Sequence, residues 1–393
     1  MVPVPKGFAF AVAAAGFKKP GRNDLAVMAS KRPAAGAGVF TTNLFQAAPV
    51  TVARENLAAG GPIRGFVVNS GQANACTGDV GLVNCRVTLD LVGQNLGIEA
   101  EQLLPASTGV IGQHLKMDLF REAMPAIRDS YGKADPIEAA KAIMTTDTFP
   151  KLAWAEVKGF DAPVRILGMC KGAGMICPNM ATMLAFVCCD AEVEPGLWQA
   201  LVAKAADESF NRVTVDGDTS TNDCLMAMAN GASGVAVTGE SQDPLYEALA
   251  EVCGALSYMI VQDAEGGTKV IRIQVTGAAD DAQADLAARA VGHSPLVKTA
   301  MYGRDANWGR ICAALGRSGA SFDPEVVSVS IAGIRIFENG RPVQGDMDSL
   351  LAPHLMRRDV SLDVSLGRGP GRAMLLASDL THEYVSINAD YRT

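Results

Sequence analysis

The sequence predicts an α+β fold built on mixed or antiparallel sheets. Three observations carry that expectation. Strand-like and helix-like segments alternate along all 393 residues. Some strands alternate with period two, as Ile271, Ile273 and Val275 do against Arg272 and Gln274. Asn339-Gly340, after the strand-like run 333–337, is a type I′ hairpin signal. Apolar residues make up 49% of the chain and charged ones 19%, a globular balance, and the length suffices for a large core.

The elements follow in order. Lys6 and the apolar run 8–17 mimic a short signal peptide. The run is short and Lys18-Lys19-Pro20-Gly21 follow it, so a β-strand and turn are expected. Residues 65–70 read as a buried strand ending in a polar loop, 71–78. Residues 83–96 carry helical periodicity through Val83, Val87, Leu91 and Leu96. A Ser107-Thr108-Gly109 turn lies between apolar arms. Residues 136–144 suit a helix running into the polar loop Thr145-Thr146-Asp147-Thr148. Residues 182–190 form a short apolar run, as a central strand does. Residues 195–213 and 245–261 are amphipathic helices, and 268–276 is a half-buried strand.

The small, polar stretch 277–281 reads as a domain boundary, giving domains 1–277 and 278–393. Beyond it, 282–291 and 307–315 are helical. Residues 326–331, 333–337, 360–366 and 373–377 are strands.

Composition excludes several functions. Net charge is −8 with no Lys/Arg cluster, which argues against a nucleic-acid partner. No segment holds the 18 consecutive apolar residues of a membrane span. Nine cysteines, an odd number with no paired CxxC spacing, fit a reduced cytoplasmic setting. His114, His293, His354 and His382 form no ligand pair, so no metal is expected. Asp216, Asp218 and Asp223 lack a Glu at the offset a calcium loop needs and read as loop hydrogen bonding. Neither Glu265-Gly266-Gly267-Thr268-Lys269 nor Gly367-Arg368-Gly369-Pro370-Gly371 has the spacing of a phosphate or dinucleotide loop. No cofactor is expected.

The chemistry concentrates at Ala181-Thr182, where a Gly- and Pro-bearing loop meets an apolar run. A threonine hydroxyl is a poor nucleophile without an adjacent base. A chain break before Thr182 would supply one, its own α-amine, whose pKa of about 7.7–8.0 suits the task. Small Ala181 leaves room for the hydroxyl to attack the preceding carbonyl. On residue statistics alone Ala-Thr is unremarkable, and a strand-starting threonine is the plainer reading.

The surrounding residues add weight. Lys171-Gly172-Ala173-Gly174-Met175 and Asn179-Met180-Ala181-Thr182-Met183-Leu184 resemble the self-cleaving site of the ornithine acetyltransferase (glutamate N-acetyltransferase) family of arginine biosynthesis. The resemblance extends in family order over nearly the whole chain. It takes in Asn69-Ser70-Gly71-Gln72-Ala73-Asn74, Ser107-Thr108-Gly109-Val110-Ile111-Gly112, Asp216-Gly217-Asp218-Thr219-Ser220-Thr221-Asn222-Asp223, Asn307-Trp308-Gly309-Arg310 and the C-terminus from Asn388 to Thr393. Cys177 stands where the family has a small residue such as alanine.

The resemblance implies a layered, N-terminal-nucleophile-like core and a smaller C-terminal α/β domain that contributes the C-terminus to the site. It implies cleavage between Ala181 and Thr182, with Thr182 as acetyl-carrying nucleophile and Thr108 with Gly109 as oxyanion donors. Thr145, Lys171, Thr182, Glu265, Asn388 and Thr393 match substrate-binding positions. Acetyl would pass from N-acetylornithine to glutamate by a ping-pong route without a cofactor. Whether acetyl-CoA also serves as donor stays open. Fragments 1–181 and 182–393 would remain associated, two of each or more. The competing readings are an amidohydrolase or aminopeptidase on the same kind of scaffold, with water replacing glutamate as acceptor, and an uncut, non-catalytic binding protein.

Overall fold

The computed structural model describes residues 2–18, 21–177 and 183–390. In chain order the elements are β1 (Phe8–Ala13), β2 (Leu25–Phe40), α1 (Ala48–Ala58), β3 (Ile63–Gln72), α2 (Gly78–Leu96), β4 (Leu103–Val110), α3 (Met117–Ser130), α4 (Pro136–Ile143), β5 (Lys151–Val157), β6 (Val164–Lys171) and β7 (Leu184–Cys189). There follow β8 (Glu192–Val193), α5 (Pro195–Glu208), β9 (Val213–Thr214), β10 (Cys224–Ala229), β11 (Ala236–Val237), α6 (Asp243–Gln262), β12 (Val270–Ala278), α7 (Asp281–Gly292), α8 (Pro295–Tyr302) and α9 (Trp308–Gly316). The chain closes with β13 (Ser328–Ile331), β14 (Ile334–Glu338), β15 (Arg341–Pro342), α10 (Met347–Leu355), β16 (Asp359–Ser365), β17 (Gly371–Ser378) and α11 (His382–Asp390). The expected α+β class holds.

Two compact units emerge, one from residues 2–211 and 218–260, the other from 212–217 and 261–390. The stretch 277–281, expected as a boundary, lies inside the second unit. There Gly277 (φ +75°) sits in the irregular end of β12, just before α7.

In the first unit the strand order is β4-β3-β2-β10-β7-β6-β5, with β1 also on β2. Pairs β3/β4 and β7/β10 are parallel and the others antiparallel. β2 serves twice: Leu25 to Ala29 pair with β1 and β3, and Ala35 to Phe40 pair with β10. Between these halves Lys31, Arg32 and Pro33 are exposed, and a proline is tolerated where the ladder is interrupted.

The sheet therefore folds over on itself. Phe66 and Val68 from β3 share a core with Leu167, Met169, Leu184, Phe186 and Met226 from the other half. The Phe66 and Phe186 rings lie 5.4 Å apart across it. Val67 and Leu103 point the opposite way, into a core with α1, α2 and α3. On the far side Gly168 of β6 leaves room for Val252 and Leu256 of α6; a Cβ there would meet their side chains at 2.7 and 2.8 Å. The layers run helix, sheet, sheet, helix, with the Ala-rich α4 feeding the inner core through Ala139, Ala140, Ala142 and Ile143.

α6 is long and apolar enough to cross a membrane by length and composition. Its Leu249, Cys253, Leu256 and Ile260 are fully buried, as expected of a core helix.

The second unit holds a sheet ordered β15-β14-β13-β16-β12-β17-β9. Ile271, Ile273 and Val275 of β12 face a core with α7, α8, α9 and α10, while Arg272, Gln274 and Thr276 face solvent. Asn339 and Gly340 both have positive φ, 50° and 73°, as a type I′ turn requires.

The sandwich interior predicts its own test. Phe186→Ala should cost about 3–5 kcal/mol of unfolding free energy, read from the urea midpoint. A loss under about 1 kcal/mol would mean that Phe186 is not packed between two sheets.

Candidate active site

The Ser107-Thr108-Gly109 segment is the end of a strand and not the free turn expected from its composition. β4 runs on to Val110, and Gly71 of β3 stands beside Gly109. Both glycines have left-handed φ, 115° and 129°, which side chains rarely adopt. A Cβ on Gly109 would lie 2.2 Å from the Gly71 carbonyl carbon. This backbone-on-backbone approach explains glycine at 109, whereas a Cβ on Gly71 would meet the Phe17 carbonyl oxygen at 3.0 Å.

Buried amides fix the segment further. Asn222 Nδ2 donates to the carbonyls of Ala73 (2.6 Å) and Ser107 (2.8 Å). Ser107 Oγ donates to Asn69 Oδ1 at 2.6 Å, and Asn69 Nδ2 donates to the Gln72 carbonyl at 2.9 Å. Thr108 and Gly109 thus end a braced edge and are themselves only half-buried.

Lys171 closes β6 on the other layer, and its Nζ donates to Thr108 Oγ1 at 3.4 Å. Because Thr108 accepts there, its hydroxyl hydrogen is available to another acceptor. Across the ladder Lys171 pairs with Leu184, the first residue of β7, and Leu184 pairs in parallel with Cys224.

The flanks of the 178–182 segment are anchored alongside. Ile176 bridges to Thr219, Thr219 Oγ1 donates to the Cys177 carbonyl, and Cys224 N donates to the Met183 carbonyl. Ala181, Thr182 and Thr393 lie outside the described residues.

Thr145 joins the group through Asp147. Thr145 N donates to Asp147 Oδ2 at 2.9 Å, while Gly172 N and Lys151 Nζ donate to Oδ1 at 2.7 and 2.6 Å. Asp147 and Lys151 have no exposed side-chain surface. Burial pushes the Asp147 carboxyl upward, but Lys171, Lys151 and the Gly172 N–H outweigh it and hold the pKa at about 2. Lys18 adds a third cation. Its Nζ donates to the Ala142 and Met144 carbonyls at the end of α4, directly before Thr145. Burial lowers its pKa to about 8, with Asp24 opposing and Arg22 and Lys171 assisting. Three lysines against two buried carboxylates, Asp147 and Asp24, leave a surplus of positive charge, which suits an anionic ligand.

The second unit brings two expected residues together. Asn388 Nδ2 donates to Glu265 Oε2 at 2.9 Å and to the Tyr384 carbonyl at 3.0 Å. Gly266, at φ +64°, leaves space that a Cβ would close, 2.5 Å from Tyr384 N. Thr381 Oγ1 caps the Gly266 carbonyl at 2.8 Å. Asp379 holds the same turn by accepting from the backbone N–H groups of Thr268 and Lys269.

All nine cysteines are free, and no group of three or more potential metal ligands occurs among the described residues.

The sequence matches the ArgJ family over residues 9–393. The chain belongs to the ArgJ family. An arginine biosynthesis bifunctional protein ArgJ of Nitratidesulfovibrio vulgaris is 61% identical over 389 residues, 99% of each chain. Its counterpart from Geobacter sulfurreducens is 46% identical over 391 residues, again 99% of each. A crystal structure of the Bacillus halodurans ArgJ protein is 41% identical with a TM-score of 0.51, covering 53% of this chain and 100% of that one. As an ArgJ member the chain is an enzyme, an acyltransferase of arginine biosynthesis with ornithine acetyltransferase/glutamate N-acetyltransferase activity.

Residue types alone gave no reason to single out Asp147, Lys151, Asn222 or Lys18. The available signal was spacing: Asp147 and Lys151 stand four apart, with opposite charge, and Asp147 is two residues after Thr145.

Lys18 has a measurable signature. Between about pH 8 and its ordinary value of 10.5 the unfolded chain keeps a proton that the folded chain has released. The unfolded state then binds more protons, so stability rises with pH across that window. Lys18→Met should flatten that rise, as read from urea midpoints at pH 7.5 and 9.5; an unchanged slope would refute the assignment.

Proposed function

We propose that Thr182, freed by a cut after Ala181, carries the acetyl group between the two half-reactions. Its α-amine takes the hydroxyl proton as Oγ attacks the acetyl carbonyl of N-acetylornithine. Thr108 Oγ1–H and Gly109 N–H hold the oxyanion of the tetrahedral intermediate. Collapse breaks the C–N bond, and the amine returns the proton to departing ornithine. The glutamate amine then attacks the acyl-threonine, N-acetylglutamate leaves, and Thr182 regains its proton.

The observation that carries this reading is the Lys171–Thr108 contact of 3.4 Å at the edge where β7 begins. Residue 182 is two residues before Leu184, and two residues of chain span at most about 7 Å. Removing an oxyanion donor such as the Thr108 hydroxyl typically costs about 10²–10³ in rate.

The cationic surroundings of Lys171, with Thr145 beside it, suit the substrate carboxylate. Glu265 and Asn388 suit the amine-bearing end of ornithine, with Thr393 completing the set. The relatives' designation as bifunctional supports a second acetyl donor, for which acetyl-CoA is the expected compound.

A cut after 181 would leave β7 and β10 on one fragment, between β2 and β6 of the other. The fragments would then stay joined through a shared sheet, assembling as two copies of each or more. Nine free cysteines fit a cytoplasmic enzyme.

The test pairs a gel with an assay. Purified enzyme should run as two bands under denaturing conditions and form N-acetylglutamate from N-acetylornithine only when glutamate is present. Thr182→Ala should give one band and no transfer. Acetate release independent of glutamate would favour a hydrolase, and full activity from an uncut chain would overturn the nucleophile assignment. Glutamate acetylation from acetyl-CoA decides the second donor.

A further inference from the structure

The carboxylate of Asp147 has no part in the chemistry above, yet it is tied to two of the proposed substrate-binding positions. Oδ2 accepts from the backbone of Thr145 itself, and Oδ1 accepts from Gly172, the residue after Lys171. These donors come from separate segments, the loop after α4 and the end of β6. Gly172 has φ +154°, at the limit of the left-handed region. Lys151, buried beneath, takes the remaining direction on Oδ1.

An ion pair serving stability alone needs only Lys151 and Asp147, and such pairs are often replaceable by neutral groups of similar volume without loss. Here the same carboxylate also spans the gap between the Thr145 loop and the Lys171 strand end.

We propose that Asp147 is a positioning residue for substrate: its buried carboxylate clamps the Thr145 loop to the Lys171 end of β6 and so sets affinity for the substrate carboxylate. The proposal rests on the reading that Thr145 and Lys171 contact substrate. Asp147 touches neither the substrate nor the reacting atoms.

Three variants separate clamp from ion pair. Asp147→Asn leaves a single acceptor oxygen for two backbone donors and removes the charge. It should raise KM for both N-acetylornithine and glutamate by about tenfold or more, with a smaller change in kcat, because what is lost is binding shared by ground and transition states. Lys151→Gln keeps the carboxylate and both backbone bonds. It should lower the urea midpoint while leaving KM within about twofold. Where Asp147→Asn does not accumulate as folded protein, Asp147→Asn with Lys151→Gln, which buries no unpaired charge, carries the same KM readout.

Equal KM changes in the two single variants, or an unchanged KM in a folded Asp147→Asn protein, would overturn the clamp. A tenfold rise in KM for Lys151→Gln would do so as well. The wild-type arm keeps the two readings apart. Wild-type enzyme without acetyl transfer sinks the functional reading, whereas active wild type with insensitive variants sinks only the clamp.

Discussion

One strand holds the first unit together. β2 belongs to both layers of the sandwich, pairing with β1 and β3 through its first half and with β10 through its second. Registers propagate outward from it. On one side Leu25 faces Asn69, and Ser70 faces Thr108 across the β3/β4 pair. On the other, Phe40 faces Cys224, Cys224 faces Leu184, and Leu184 faces Lys171. Thr108 and Lys171 lie 63 residues apart in sequence and 3.4 Å apart in space because each step of that ladder is fixed. A slip of one residue anywhere along it would turn the inward side chains outward.

Charge at this edge is arranged with the same economy. Lys18, Lys151 and Lys171 surround Asp147, and only the buried Lys151 pairs with it at 2.6 Å. A buried carboxylate survives ionised only with such partners and backbone donors. The surplus cations are left half-buried, where a ligand carboxylate would be partly desolvated and its attraction to them strengthened. Polar groups that hold the frame, such as Asn69, Ser107 and Asn222, are buried and mutually bonded. The groups facing the edge, Thr108, Thr145 and Lys171, keep some exposure.

Much of this was legible in the sequence, for physical reasons that can be named. Continuous apolar runs marked β3 and β7 because both their faces are buried, periodicity marked α6 and β12 because each buries a regular face, and Asn339-Gly340 marked its hairpin because its backbone admits few other pairs. The candidate residues came from a motif series and not from pattern. Pairing was not legible. Nothing local says that β2 bends and serves two layers, or that β7 inserts beside β10, since those choices are made by packing between distant segments. Thr108 and Gly109 read as a turn because Gly109's value lies in what it avoids, a collision with Gly71, and that partner is 38 residues away. Asp147 read as one more polar loop residue because its three donors become its partners only once β6 and the loop after α4 have met.

The insertion of β7 and β10 between β6 and β2 also sets an order of events during synthesis. A growing chain that has reached Lys171 already carries every strand of the layer except the two in its middle. The inner side of β6 must wait with an unpaired edge until Cys189 has emerged, and the second half of β2 until Ala229 has. Such open edges invite pairing with other chains. Parallel partners far apart in sequence, such as β7 and β10, are also slow to form. The nascent protein is therefore most vulnerable just before the strand that begins at Leu184 arrives, so anything that delays residues 184–229 should favour aggregation over folding.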